Sequence, residues 1–198
     1  MIAVPSGNPR GMAQQDTATK STAPELLRQQ HQNVKRMFSE MSRVRGKDRD
    51  DLFDCLRKTL AVHETAEEMI IYPEVRQIDN DVVEARLSEE SEAKKVLAQL
   101  EKLTPSDSKF DSMFDEFRAA VLQHATAEET EVFPLLEQNV PGARLLEMAE
   151  AILIAERVAP THPHPHGPET ALGNLMVGPF VAMVDKVRDK IAEHQKKT

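Results

Sequence analysis

Tryptophan is absent from this 198-residue chain, tyrosine occurs once, and aromatic residues make up only 4% of it. A β-sandwich or barrel draws on more aromatic and β-branched residues than that. The single cysteine, Cys55, rules out an intrachain disulfide, and within "DLFDCLRKTL" it reads as a small core residue rather than a nucleophile. No apolar run is long enough to span a membrane and no secretory pattern opens the chain, so a reducing cytoplasm is the expected compartment. No Lys/Arg block offsets a formal net charge of -8, which argues against non-specific binding to nucleic acid or to an anionic membrane. A glycine-rich phosphate loop and a Ser/His/Asp set are both missing, so nothing points to a nucleotide cofactor or to acyl transfer.

What is present favours helices: long runs of Leu, Ala, Glu, Lys and Gln. Residues 1–22 are rich in Gly, Pro, Ser, Thr and Gln without apolar period and read as a flexible leader, with Met12 as a possible later start. A helix is expected from Ala23, with Thr22 as N-cap and Leu27, Val34, Met37, Phe38 and Met41 at helical spacing. A second is expected over Arg49–Tyr72, stopped by Pro73, and a third over Asp79–Leu103. A fourth is expected over Ser108–Phe133, stopped by Pro134. Four long helices with short turns predict an all-α, antiparallel up-down-up-down four-helix bundle over residues 23–140. Residues 141–198 read as a C-terminal helical extension: a short fifth helix, a Pro/His-rich connector, and a closing amphipathic helix. His162, His164 and His166 alternate in that connector; a stiff spacer is the simpler reading, with a metal-binding strip as the alternative.

One phrase is written twice. "HETAEEMIIYP" starts at His63, and "HATAEETEVFP" starts 61 residues later at His124. The same offset maps Phe114 onto Phe53, Phe117 onto Leu56 and Val121 onto Leu60, so each half is a helix hairpin. His63 and Glu67 are four apart and share a helix face, as do His124 and Glu128. Each pair continues an apolar stripe and therefore points inward. A carboxylate buried there needs a counter-charge or a metal. His31, followed at helical spacing by Val34, Phe38 and Met41, also points inward. The third helix has no histidine. Matching the apolar pattern after His31 onto Ala93, Val96, Leu97 and Leu100 puts Glu90 at the equivalent place; Ser91 fits worse, because Lys94 then replaces Val34. Imidazole nitrogens with carboxylate oxygens suit iron, manganese or zinc, and carboxylates can bridge two metals. Glu64 and Glu68 read as solvated surface, Tyr72 as a core aromatic because its counterpart Phe133 lacks the hydroxyl, and the nine Met residues as core filler.

"QQHQNVKRMF", "HETAEEMIIYP" and "HATAEETEVFP" resemble the hemerythrin-like, or HHE cation-binding, domain family over about residues 22–140. The resemblance implies a four-helix bundle holding two non-heme iron ions, oxo- or hydroxo-bridged. It makes Glu67 and Glu128 the bridging ligands and His31, His63 and His124 terminal ones. The family commonly places His on the third helix, where this chain has Glu90. A Glu ligand there adds negative charge and favours the higher oxidation state of iron; the other possibility is that Glu90 does not bind and one metal is under-coordinated or absent. The implied function is binding or sensing of O2 or a related small oxidant. The alternative is an oxidoreductase acting on hydrogen peroxide or nitric oxide, and a metal-free structural bundle is a third.

Overall fold

The computed structural model describes residues 21–156. Most of the expected leader, the His162, His164 and His166 connector, and the closing helix lie outside the described residues. Within them the chain is helical, without strands.

Helix α1 spans Ala23–Met41. It begins as expected at Thr22, whose backbone N–H donates to Glu25 Oε2 at 2.9 Å, with Pro24 in the first turn where no donor is required. Gly46, at φ 57, makes the turn into α2, Lys47–Ala66. Helix α4, Asn80–Leu100, is capped by Asp79, whose side chain accepts from the N–H groups of Asp81 and Val82 at 3.0 and 3.2 Å. Helix α5 spans Phe110–Ala127.

The two prolines do not stop their helices. After α2 comes a wide π turn, Glu67–Ile71, and then a further helical turn α3, Tyr72–Val75. After α5 a second π turn, Glu128–Val132, leads into α6, Phe133–Asn139. A proline in an α-helix lacks a donor and clashes with the carbonyl four residues back. Here the N–H groups of Tyr72 and Phe133 reach five residues back instead, to the carbonyls of Glu67 and Glu128. That shift in register, one residue before each proline, makes room for the ring and lets the helix go on. Such turns are often found at functional sites, and both begin on a carboxylate of the repeated motif.

Helix α1 packs on α2, and α4 on α5, giving two antiparallel hairpins that close into the expected up-down-up-down bundle. The expected fifth helix is present as α7, Gly142–Glu156, lying along α1, α2 and the first π turn. The apolar core is in two parts. One joins Phe38, Phe53, Phe110, Phe114 and Phe117 with Leu56, Leu97 and Leu100. The other joins Leu27, Ile71, Val75, Phe133 and Leu136 with Met148 and Ile152 of α7. Each buried aromatic or aliphatic side chain contributes about 1.5–3 kcal/mol, and the two cores flank the layer between them. Cys55 is exposed, contrary to expectation: it sits between Phe53 and Leu56 in sequence and so is turned off their stripe.

Candidate metal centre

The layer between the two cores is polar. His31, His63, Glu67, Glu90, His124 and Glu128 are all less than a tenth exposed, and the two π-turn carboxylates are fully buried. All six sequence-expected residues therefore converge. Two overlapping donor groups form, one of His31, His63, Glu67 and Glu128, the other of Glu67, Glu90 and His124.

Distances define the halves. His31 Nε2 lies 3.1 Å from His63 Nε2, and His63 Nε2 lies 3.3 Å from Glu67 Oε2. His124 Nε2 lies 3.8 Å from Glu90 Oε1. Glu128 Oε2 serves both halves, 3.4 Å from His31 Nε2 and 3.5 Å from His124 Nε2.

Each imidazole is held from behind. His31 Nδ1 is 2.9 Å from Glu129 Oε1, His124 Nδ1 is 3.1 Å from Glu89 Oε2, and His63 Nδ1 is 2.7 Å from Gln30 Oε1. Carboxylates only accept, so Nδ1 of His31 and His124 carries the proton. The Gln30 amide is oriented by its own donation to Glu156 Oε1 at 2.6 Å, so its oxygen faces His63 and the same tautomer follows. With Nδ1 engaged from behind, each ring turns its Nε2 inward. Outward donation by Nδ1 is the usual second bond of a metal-binding histidine.

Donor atoms so arranged repel one another unless something positive lies among them. Both oxygens of Glu67, Oε2 of Glu128 and Nε2 of His124 are buried without a hydrogen-bond partner. Buried polar atoms are nearly always paired, and orphans call for an explanation such as an ion. These orphans belong to the residues of the two overlapping donor groups, and their nitrogen-and-carboxylate chemistry fits transition-metal cations. In the metal-free chain, protons stand in for the cation. Burial, then the neighbouring Glu128 and Glu90, pushes the Glu67 carboxyl well above its usual range. Burial followed by Glu64 does the same to Glu90. Burial and the adjacent His31 hold His63 down to about 3, so it stays neutral.

The pseudo-symmetry extends outward. Fifty-nine residues separate His31 from Glu90, Gln30 from Glu89, and Lys35 from Lys94. Gln30 and Glu89 each hold the histidine of the neighbouring helix, while Lys35 pairs with Glu129 at 3.3 Å and Lys94 with Glu68 at 2.6 Å. Position by position, Glu90 thus stands where His31 stands.

Two side-chain expectations change. Glu64 and Glu68 are not a solvated surface pair: both are partly buried and ion-paired to Lys94, at 3.5 and 2.6 Å, and Lys94 also reaches Glu90 Oε2 at 3.1 Å. Burial opposes the Lys94 charge, but the three carboxylates outweigh it and hold its pKa above the ordinary value. Tyr72 is more than a core aromatic. Its hydroxyl lies 2.5 Å from Glu90 Oε1 and 2.9 Å from Glu128 Oε1. Nothing local in the sequence announces this, because the acceptors are on other helices. Gln30, Glu89 and Glu129 were also missed. Each adjoins a site residue in sequence, a position about 100° around the helix that meets the neighbouring helix.

A small cavity of about 20 Å³, room for one water-sized molecule, abuts the three histidines, Glu90 and Glu64, and apolar residues that include Val34, Leu60, Ala93 and Val121 complete its wall.

The hemerythrin HHE cation-binding domain model matches residues 22–144, and the chain belongs to that family. Two curated relatives are each 28% identical to it. One, an uncharacterized hemerythrin-like protein of Schizosaccharomyces pombe, aligns over 134 residues, 66% of either chain. The other, named a DNA nickase, from a Nostoc strain, aligns over 128 residues, 63% of this chain. The match thus spans 66% of the first relative's length and 36% of the second's. A crystal structure of a hemerythrin HHE domain-containing protein of Mycobacterium kansasii superposes with a TM-score of 0.65 at 22% identity, covering 83% of this chain and 98% of that one. That likeness supports the fold. No described helix is long and apolar enough to cross a membrane.

Proposed function

We propose that the chain is a non-heme di-iron protein that binds or senses O2 or a related small oxidant within the bundle. The observation that carries this reading is the shared carboxylate: Glu128 Oε2, buried and unpaired, faces His31 Nε2 at 3.4 Å and His124 Nε2 at 3.5 Å. An oxygen so placed suits two cations side by side, with Glu67, common to both donor groups, as the second shared ligand. His31 and His63 would serve one ion, His124 and Glu90 the other. Iron bound there supplies an open coordination position for a small oxidant and an electron to exchange with it.

The chain's own residues set the terms. Gln30, Glu89 and Glu129 orient the imidazoles. Val34, Leu60, Ala93 and Val121 give the cavity beside the donors an apolar wall, and its volume of about 20 Å³ suits a ligand close to water in size rather than an organic substrate. The single cysteine accords with a reducing cytoplasm.

A second reading, turnover of hydrogen peroxide or nitric oxide, draws on Tyr72, which holds a proton on its hydroxyl beside Glu90 at 2.5 Å. Glu90, bound to a metal as its carboxylate, would also favour an oxidised metal over reversible carriage. The test is peroxide added to the iron-loaded protein. Rapid oxygen evolution supports turnover; a spectrum that changes and recovers without gas supports binding or sensing. An iron-loaded protein indifferent to O2, peroxide and nitric oxide contradicts both.

A further inference from the structure

Among the matched places at which the halves of the centre differ, two are linked in space. His31 corresponds to Glu90, and Phe133 corresponds to Tyr72. Phe133 stacks on His31, centroids 5.6 Å apart and rings 19° from parallel, and offers the site only a ring. Tyr72 directs its hydroxyl at Glu90 Oε1 and Glu128 Oε1, 2.5 and 2.9 Å away. The half that lacks a second imidazole is the half that has a phenolic oxygen.

Placement of that oxygen follows from the backbone. In a regular α-helix, a residue five after Glu67 lies well around the cylinder from it. The π turn closes a hydrogen bond from Tyr72 N–H to the Glu67 carbonyl, so one turn now spans five residues and Tyr72 follows Glu67 on the inward face. Tyr72 is 1% exposed, and its hydroxyl meets two buried carboxylates.

We propose that Tyr72 is itself a metal ligand, its phenolic oxygen bound to the cation held by Glu90 and His124, so that the centre has one nitrogen-rich and one oxygen-rich position. The proposal rests on the di-iron reading above. When the metal–oxygen bond forms, the phenolic O–H bond breaks and its proton leaves to solvent; no electron is transferred. Glu90 Oε1 and Glu128 Oε1, relieved of the phenol's hydrogen bonds, become free donors. Each ion then has two terminal side chains or more: His31 and His63 on one side, Glu90, His124 and Tyr72 on the other. Carboxylate and phenolate oxygens are the harder donors and favour the ferric ion at their position.

The chain is well suited to a test, because Tyr72 is its only tyrosine and it has no tryptophan. Protein grown on ring-deuterated tyrosine and loaded with iron is oxidised and studied by visible absorption and resonance Raman spectroscopy, with iron content measured on the same samples. The expected result is a visible phenolate-to-iron band whose Raman modes shift on deuteration, and whose loss in Tyr72→Phe leaves iron bound. If Tyr72→Phe fails to load iron, the deuterium shift in the unsubstituted protein decides alone. Two irons with no such band and no deuteration-sensitive modes overturn the ligation while leaving the di-iron reading intact. A chain that takes up no iron overturns both.

Discussion

Glu67→Met separates what the site costs the fold from what the metal returns to it. Glu67 is fully buried with both carboxylate oxygens unpaired. A buried polar group left unsatisfied costs about 1–3 kcal/mol, a cost that an apolar side chain of similar shape does not carry. Met has a similar reach and bends to fill the space. In chelator the variant is therefore expected to be more stable by about 2 kcal/mol, which at ~2–4 °C per kcal/mol for a chain of this size raises Tm by about 4–8 °C. The pH dependence has a definite sign. The folded-state pKa of Glu67 is raised, so its contribution to stability is present below the unfolded value near 4.5 and is lost as pH rises through the folded value. The advantage of the variant thus grows as pH rises above about 4.5 and shrinks below it. Metal reverses the order. A ligand at a hundred times its Kd stabilises the native state by about 2.7 kcal/mol, and the variant has lost a carboxylate shared by both donor groups. Thermal unfolding followed by circular dichroism, with chelator and with anaerobic ferrous iron, measures both arms. If Glu67→Met is the less stable protein in chelator at neutral pH, the reasoning from unpaired buried oxygens is wrong.

Three further outcomes are expected. Gln30→Leu, which frees His63 Nδ1 from its 2.7 Å contact, is expected to weaken metal binding by about 10–100-fold in a chelator competition, with helix content unchanged; unaltered affinity would remove Gln30 from any orienting role. Glu90→Ala is expected to lower bound iron from two ions toward one per chain, read by metal analysis; a full pair would show that Glu90 does not ligate. Because Glu67 and Glu90 hold protons well above the usual carboxylate range when metal is absent, metal uptake at neutral pH is expected to release protons, and apparent affinity to rise with pH. A pH indicator in weakly buffered solution reads this directly, and uptake without proton release contradicts it.

The long-range order of the site was legible because it is written in local periodicity. His63 and Glu67, and again His124 and Glu128, continue apolar stripes, and their shared offset exposed the two hairpins. Glu90 was reached the same way, by matching its flanking apolar residues to those of His31. The prolines misled because Pro73 and Pro134 carry a general rule about α-helices, while the chain avoids the clash with π turns that no residue pattern announces. Tyr72, Glu89, Glu129 and Gln30 act across helix interfaces, so their partners are set by how the bundle packs rather than by neighbours in sequence. Glu64 and Glu68 were assigned to solvent because each adjoins an inward residue. Lys94 of the facing helix draws both into a partly buried ion-pair cluster.

The central claim is that these six donors hold two iron ions, and metal content with an optical spectrum on protein purified without chelator tests it most directly. About two irons per chain are expected, as the paired donor groups imply, with near-ultraviolet oxygen-to-iron absorption that His63→Ala or His124→Ala sharply diminishes. Protein that carries no metal, or one zinc per chain and no such absorption, contradicts it.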